Sequence, residues 1–219
     1  MQKDKSFYLK PSKTDLFKLK CSQVFLYLCV VFFAISICIN VTYSVAPVYG
    51  KSMYPTINES FDYTDKNQDY VVLNYIKTCH KGDVIVAKKT FEGNEENYIY
   101  VIKRLIATEG DSVEVDSSGN IYVNDILLKE DYAHNKSALA SKFDNLKESK
   151  PELFEGNKLI IPKNNVFYLG DNRGNSTDCS NYGPVDKQNI IAKVDYLIKS
   201  GENFLISIIN QIFKGEKIW

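Results

Sequence analysis

Charged residues vanish from the chain between positions 21 and 50. Within that stretch residues 24–39 are almost wholly apolar, and the apolar character continues through Asn40, Val41, Thr42, Tyr43 and Val45. A run of this length predicts a membrane-spanning helix, for which ~17–25 apolar residues suffice. Past residue 50 the pattern changes to short apolar runs separated by turn residues, the signature of a mostly-β domain. The runs predict strands over residues 70–73, 84–88, 98–107, 112–115, 121–123, 166–169 and 190–198. Val113 and Val115 alternate on one side of Ser117-Ser118-Gly119-Asn120, and Ile121 and Val123 on the other, which reads as a hairpin. Residues 133–158 are polar and predict one short helix plus loop, an insertion in the β framework. Near the end Phe204, Leu205, Ile208, Ile209, Ile212 and Phe213 recur at helical spacing around Ser207, Asn210 and Gln211. That helix is too short to span a bilayer, and its pattern suits a core-packing helix and a membrane-surface helix equally.

Composition narrows the partners. The 219 residues, 44% of them hydrophobic, suit one compact domain beside the apolar segment. Lys+Arg and Asp+Glu stand at 27 each, so the basic excess expected of a nucleic-acid binder is missing. Locally the charge is uneven: Lys3, Lys5, Lys10, Lys13, Lys18 and Lys20 precede the apolar stretch, against Asp4 and Asp15. A positive flank keeps the N-terminus cytoplasmic and sends the remainder across the membrane. The expected organisation is a cytoplasmic tail over 1–20, a single-pass anchor over 21–45, an extracytoplasmic domain over 46–200 and an amphipathic segment over 201–219.

A cleaved signal peptide is the rival reading, because Ser44-Val45-Ala46 offers small residues before a cut. Pro47 would then follow that cut, and the apolar stretch exceeds the ~7–15 residues of a signal-peptide core, so the uncleaved anchor is preferred. Of five cysteines, Cys21, Cys29 and Cys38 lie in or beside the apolar segment. The absence of CxxC spacing argues against a zinc site, and a pairing of Cys79 with Cys179 stays open.

Candidate chemistry begins with what is scarce. The two histidines, His80 and His134, lie in no motif, so a nucleophilic serine here needs another base. In Tyr100-Val101-Ile102-Lys103-Arg104-Leu105, period-two alternation puts Lys103 on the face of Val101 and Leu105. Apolar neighbours strip water from an ammonium, and the lost hydration lowers a lysine pKa until the neutral amine can accept a proton. Taken alone, a strand lysine is more often exposed. Ser52 lies in Gly50-Lys51-Ser52-Met53-Tyr54-Pro55-Thr56, where Gly50 permits close backbone approach and Pro55 limits conformational freedom, both useful for holding a hydroxyl and its own N–H in fixed positions. Gly170-Asp171-Asn172-Arg173-Gly174-Asn175-Ser176-Thr177-Asp178 follows a predicted strand and suits an internally hydrogen-bonded loop.

Together, and in this order, these segments resemble the bacterial type I signal peptidases, the S26 signal peptidase family. Ser52-Met53-Tyr54-Pro55-Thr56 is similar to that family's nucleophile box, and Gly82-Asp83-Val84-Ile85-Val86 to its next strand. Lys103-Arg104-Leu105-Ile106 with Gly110-Asp111 resembles the lysine box, and residues 170–178 with Tyr182-Gly183-Pro184-Val185 the last box. The resemblance covers roughly residues 20–195 and implies a mostly β fold with one N-terminal transmembrane helix and a cap inserted over about 112–165. It implies Ser52 as nucleophile, Lys103 as general base, Ser176 as the residue that orients Lys103, and Asp178 and Asp171 as structural supports. Gly50, Met53 and Pro55 would belong to the substrate and oxyanion region. It further implies secreted preproteins cut after small residues, a membrane lipid setting, contact with secretion machinery, and no metal, cofactor or nucleic acid.

The chain also departs from that pattern. Ser180 stands where the family commonly has an arginine, a loss for which Arg173 or Arg104 could compensate. Gly50 replaces a serine that supplies an oxyanion donor in some members, Glu109 a frequent proline and Ala107 a frequent glycine. Two other classes compete: a membrane-bound relative that presents substrates without cutting them, and a self-cleaving Ser/Lys regulator resembling the LexA repressor group. The retained Lys103 counts against the first, and the shortness of residues 1–20 against the second.

Overall fold

The computed structural model describes residues 12–63, 67–91 and 94–214. The predicted tail therefore lies largely outside the described residues, Lys3, Lys5 and Lys10 included. The chain divides into two compact units, one ending at Thr42 and one beginning at Tyr43.

The first unit holds helix α1, Lys13–Thr42, 30 residues long and with none of its side chains buried. Ser12 caps it. The Ser12 hydroxyl accepts from the Asp15 N–H at 3.2 Å, and the Asp15 carboxylate accepts from the Ser12 N–H at 3.2 Å, the reciprocal pattern that satisfies two orphan amides of a helix start. By length and composition α1 can cross a membrane. The apolar run continues past it, but the helix does not. Tyr43–Pro47 forms strand β1, so Tyr43 and Val45, expected within the span, are strand residues. The β-branched Val41, Thr42 and Val45 with Tyr43 favour extended backbone, and Pro47 is tolerated because β1 lies on a sheet edge.

The second unit is built on two antiparallel sheets. Its remaining strands are β2 (Tyr70–Asn74), β3 (Val84–Phe91), β4 (Asn94–Thr108), β5 (Ser112–Val115), β6 (Ile121–Val123), β7 (Ile126–Leu127), β8 (Phe154–Glu155), β9 (Lys158–Ile160), β10 (Asn165–Leu169), β11 (Val185–Asp186) and β12 (Ile190–Ile198). Helices α2 (Ser137–Ser149), α3 (Cys179–Tyr182) and α4 (Phe204–Lys214) complete it. The larger sheet runs β1-β2-β12-β3-β4-β10-β11 and the smaller β7-β6-β5-β9-β8. The smaller sheet and α2 occupy the expected cap region, so residues 133–158 supply two short strands, β8 and the start of β9, as well as the predicted helix.

Strand β3 shows why its sequence reads as an unbroken apolar run. Val84 and Val86 belong to one core with Met53, Ile57, Val71 and Leu73. Ile85 and Ala87 belong to a second core with Leu105, Phe167 and, from α2, Leu139, Phe143 and Leu146. A strand buried on both faces has no polar positions to alternate with. Strand β4, its neighbour, is the exception, for it carries Lys103 opposite Ile85 and Arg104 opposite Val84 into the same interior. Cys79 and Cys179 are free thiols, so the pairing the sequence left open is not made.

Candidate active site

Ser52 stands in the turn after β1. Gly50 has φ +83°, a left-handed conformation that residues with a Cβ rarely adopt. Asn58, fully buried, braces the turn from inside. Its amide donates to the carbonyls of Val48 at 2.8 Å and Gly50 at 2.9 Å, and its carbonyl oxygen accepts from the Asp69 N–H at 2.7 Å. The Asn58 N–H in turn donates to the Asp69 carboxylate at 2.6 Å. Backbone polar groups that a tight turn would leave unpaired are thus satisfied by side chains, which holds the serine in place.

Lys103 approaches from the middle of β4. Its Nζ lies 2.8 Å from Ser52 Oγ and 2.8 Å from the Ile102 carbonyl oxygen, and the residue is 3% exposed. Burial is the main influence on its charge and pulls the amine from 10.5 down to about 8. The Asp178 and Asp171 carboxylates oppose that shift, and the Lys89 ammonium assists it. The result is an amine that is part neutral near physiological pH and so able to accept a proton.

The loop after β10 closes the third side. Leu169 pairs with Arg104, which brings the next residue, Gly170, alongside Lys103. The Asn172 N–H donates to the Ser52 carbonyl at 3.1 Å, and its side-chain amide to the Lys51 carbonyl at 3.1 Å. A Cβ on Gly170 would overlap both Ser176 Oγ and the Ser52 carbonyl oxygen, so glycine is what allows the loop and the Ser52 turn to touch.

Two buried ion pairs anchor this loop. Asp171 accepts from Arg104 Nε at 2.9 Å and Nη2 at 2.6 Å, and also from the Thr56 hydroxyl at 2.5 Å. Arg104 stacks on the Tyr132 ring, 3.8 Å from its centroid. Arg173 makes a two-pronged pair with Glu130 and donates to the Gly170 carbonyl at 3.0 Å. From α2, the Lys142 amine donates to the carbonyls of Arg173 at 2.7 Å and Ser176 at 2.8 Å.

Neither arginine therefore compensates for the one missing at position 180. Asp178 instead accepts from the Ser180 N–H at 3.1 Å and the Ser180 hydroxyl at 2.7 Å, while its other oxygen accepts from the Gly170 N–H at 2.8 Å. A small hydroxyl on the same turn of α3 does the pairing that a longer cation would otherwise do.

Of the residues singled out from the sequence, Ser52, Lys103, Gly50 and Ser176 line one depression. The expected bond between Ser176 and Lys103 is not made: Ser176 Oγ is buried without a hydrogen-bond partner among the described residues. Met53 and Pro55 do not line the depression. Met53 is a core residue and Pro55 faces α4, because the turn after Ser52 points its apolar side chains inward. His80 is exposed and has no part in the site. His134 is also exposed, but its backbone N–H donates to the Asp171 carbonyl at 2.8 Å and its carbonyl accepts from the Arg173 N–H at 2.9 Å, which braces the loop. Asn58, Glu130 and Lys142 were not singled out from the sequence, and Asn172 only as a turn residue of the polar loop. Each acts on backbone or on a partner distant in sequence, and only Asn172, inside the polar loop, carried a local signal.

Ser52 and Lys103 also border a second, apolar recess of about 530 Å³, lined by Ala46, Val71, Leu73, Val86 and Ile102. On the other side the depression holding Ser176 presents Lys51, Lys89 and Asn181. The pair thus sits between an apolar and a polar wall.

Comparison with known proteins gives the family. Residues 20–198 match the model of the family described as signal peptidase, peptidase S26. Thylakoidal processing peptidase 1 of Arabidopsis thaliana is 31% identical over 65% of this chain and 38% of its own length. Signal peptidase I S of Bacillus subtilis is 31% identical over 65% of this chain and 68% of its own length. A crystal structure of a signal peptidase I from Enterococcus faecalis is 28% identical over 55% of this chain and 99% of that chain, with a TM-score of 0.38. With the family match spanning most of the chain, and a serine and a buried lysine in contact inside it, this protein belongs to the signal peptidase family, peptidase S26.

Proposed function

We propose that this chain is a membrane-anchored serine endopeptidase that removes N-terminal signal peptides from secreted preproteins. The observation that carries the reading is the 2.8 Å approach of Lys103 Nζ to Ser52 Oγ inside an apolar interior. The neutral amine takes the Ser52 proton as Oγ attacks the scissile carbonyl, giving a tetrahedral oxyanion. The ammonium then protonates the leaving amine, which departs as the mature protein and leaves the signal peptide esterified to Ser52. Water, deprotonated by Lys103, hydrolyses that ester and restores the enzyme.

Lys103 as an ammonium has three N–H donors, and the Ser52 and Ile102 oxygens account for two acceptors. The unpartnered hydroxyl of Ser176 is suited to be the third, which is how it would orient the base once charged. Asp171 and Asp178 would act as supports through Arg104 and Ser180. The Ser52 N–H is the oxyanion donor in this reading, since Gly50 offers no hydroxyl; such a donor is worth ~10²–10³ in rate. The apolar recess, bordered by Ala46, Val71 and Val86, supports small apolar side chains before the scissile bond, as in Ala-x-Ala. Helix α1 would be the anchor, with the N-terminus cytoplasmic and the peptidase domain on the outer face.

Purified full chain, reconstituted in lipid, should cleave a preprotein after an Ala-x-Ala site, with the new N-terminus read by sequencing. Ser52→Ala and Lys103→Ala should each lose cleavage by ~10³-fold or more while remaining folded. With an amine at about 8, the rate should climb from pH 7 and level off above pH 9. Full activity in Lys103→Ala would remove the base assignment. Binding without cleavage by the unaltered chain would favour the substrate-presenting reading instead.

A further inference from the structure

Helix α4 is packed inside out. Ser207 is 5% exposed, and its hydroxyl donates to the Leu197 carbonyl at 3.2 Å. One turn on, Gln211 donates to the same carbonyl at 2.5 Å and accepts from the Leu197 N–H at 3.1 Å. Positions four apart share a helix face, so the polar stripe of α4 is the one turned toward β12. Most of the aliphatic side chains face away: Leu205 is 65% exposed, Ile206 59%, Ile209 51% and Ile212 54%, while Ile208 is half-buried. An amphipathic helix on a protein in water buries the opposite face.

We propose that α4 is a second membrane contact, lying in the plane of the bilayer surface with Leu205, Ile209 and Ile212 in the acyl boundary. Lipid is the occupant because the same chain carries α1, long and apolar enough to cross a bilayer. The elements α1 and β1 follow each other at Thr42 and Tyr43 with no linker residue, so a chain inserted through α1 keeps its folded domain within reach of the surface. The hydrogen bonds to Leu197 fix which face of α4 is offered. The helix is also too short to insert across the bilayer, which leaves an in-plane position. This inference rests on the anchor reading of α1 and is independent of the catalytic one.

The test uses the full chain with Trp219→Phe, at one copy per lipid nanodisc, carrying a single reporter tryptophan at Ile209, at Phe32 in α1, or at Ile126, an exposed apolar residue of the smaller sheet. Phosphatidylcholine brominated along its acyl chains should lower the emission of Ile209→Trp at least about twofold relative to unbrominated lipid, as fits a depth of ~5–10 Å. Phe32→Trp should be quenched and Ile126→Trp unchanged. Quenching at Phe32 without quenching at Ile209 overturns the proposal and leaves the anchor intact. No quenching at either overturns both. Quenching at Ile209 and Ile126 alike also overturns it, because contact would then not be particular to α4. An Ile209→Trp emission that stays unquenched at one copy and shifts to the blue only when nanodiscs are loaded with two or more copies would give the face to a second copy and overturn the lipid assignment.

Discussion

Replacing Lys103 with methionine should stabilise the fold at neutral pH while destroying the proposed base. Lys103 is buried, and burial brings its amine from 10.5 to about 8. That gap, at ~1.4 kcal/mol per pH unit, means the native state carries ~3 kcal/mol of unfavourable charge burial whenever the lysine is protonated. Methionine fills nearly the same space without the charge, but it gives up the contacts with Ser52 and the Ile102 carbonyl, worth ~1 kcal/mol. The net gain at pH 7 is then ~2 kcal/mol. The sign depends on pH. Between about 8 and 10.5 the unfolded chain holds a proton that the native lysine has released, so the unaltered protein gains stability as pH rises through that window. Above it the burial cost is gone, and the variant should be the less stable by ~1 kcal/mol. Equilibrium denaturation of both full chains in the same micelles at pH 7, 8.5 and 10.5, followed by far-ultraviolet circular dichroism, isolates this difference because other titrating groups are common to both. A stability difference constant over that range would refute the argument that Lys103 is shifted by burial.

Glu130→Gln should lower stability by ~3–5 kcal/mol, because it leaves the buried Arg173 guanidinium without its counter-charge; the thermal midpoint reads the loss. Gly170→Ala should cost ~1–3 kcal/mol and cut cleavage by about 100-fold, since its Cβ would displace Ser176 or the Ser52 carbonyl; unchanged turnover would mean that the two loops need not touch. Ser180→Ala should remove ~1.5–3 kcal/mol by depriving the Asp178 carboxylate of a buried hydroxyl, measurable by denaturant midpoint.

Most of the β framework was legible because its strands announce themselves locally. β5, β6 and β12 begin and end where the apolar runs do, and β2, β3, β4 and β10 extend the predicted runs at one or both ends. What escaped was decided by partners distant in sequence. Tyr43 and Val45 read as part of an apolar span because composition is the same for a membrane helix and an edge strand; pairing with β2, where Val45 meets Val72, makes them strand. The short strands β8 and β9 hide in a polar stretch because two- and three-residue strands have too few positions to show a period. For α4 the spacing was correct but did not say which face is inward, since the Leu197 carbonyl and N–H that Ser207 and Gln211 bond lie on β12.

The site divides along the same line between local pattern and distant partner. Alternation alone set Lys103 among apolar neighbours, and the fold places it there, in contact with a serine 51 positions earlier. The roles of Arg104 and Arg173 were not readable, because no local pattern names the partner of either and each could pair with any of several acidic residues. The fold separates them by geometry: Arg104, on β4, reaches Asp171 across the β4–β10 pairing, while Arg173 turns to Glu130 beyond β7. With both arginines so engaged, Asp178 is left to Ser180. A serine at that position keeps Asp178 hydrogen-bonded while adding no positive charge within the loop. Since the Asp178 carboxylate raises the Lys103 amine, and a nearby cation would lower it, the departure from the family pattern bears on the proposed base. Ser180→Arg should therefore shift the rise of the rate with pH to lower pH, and an unmoved profile would show that the substitution acts on the fold of the loop alone.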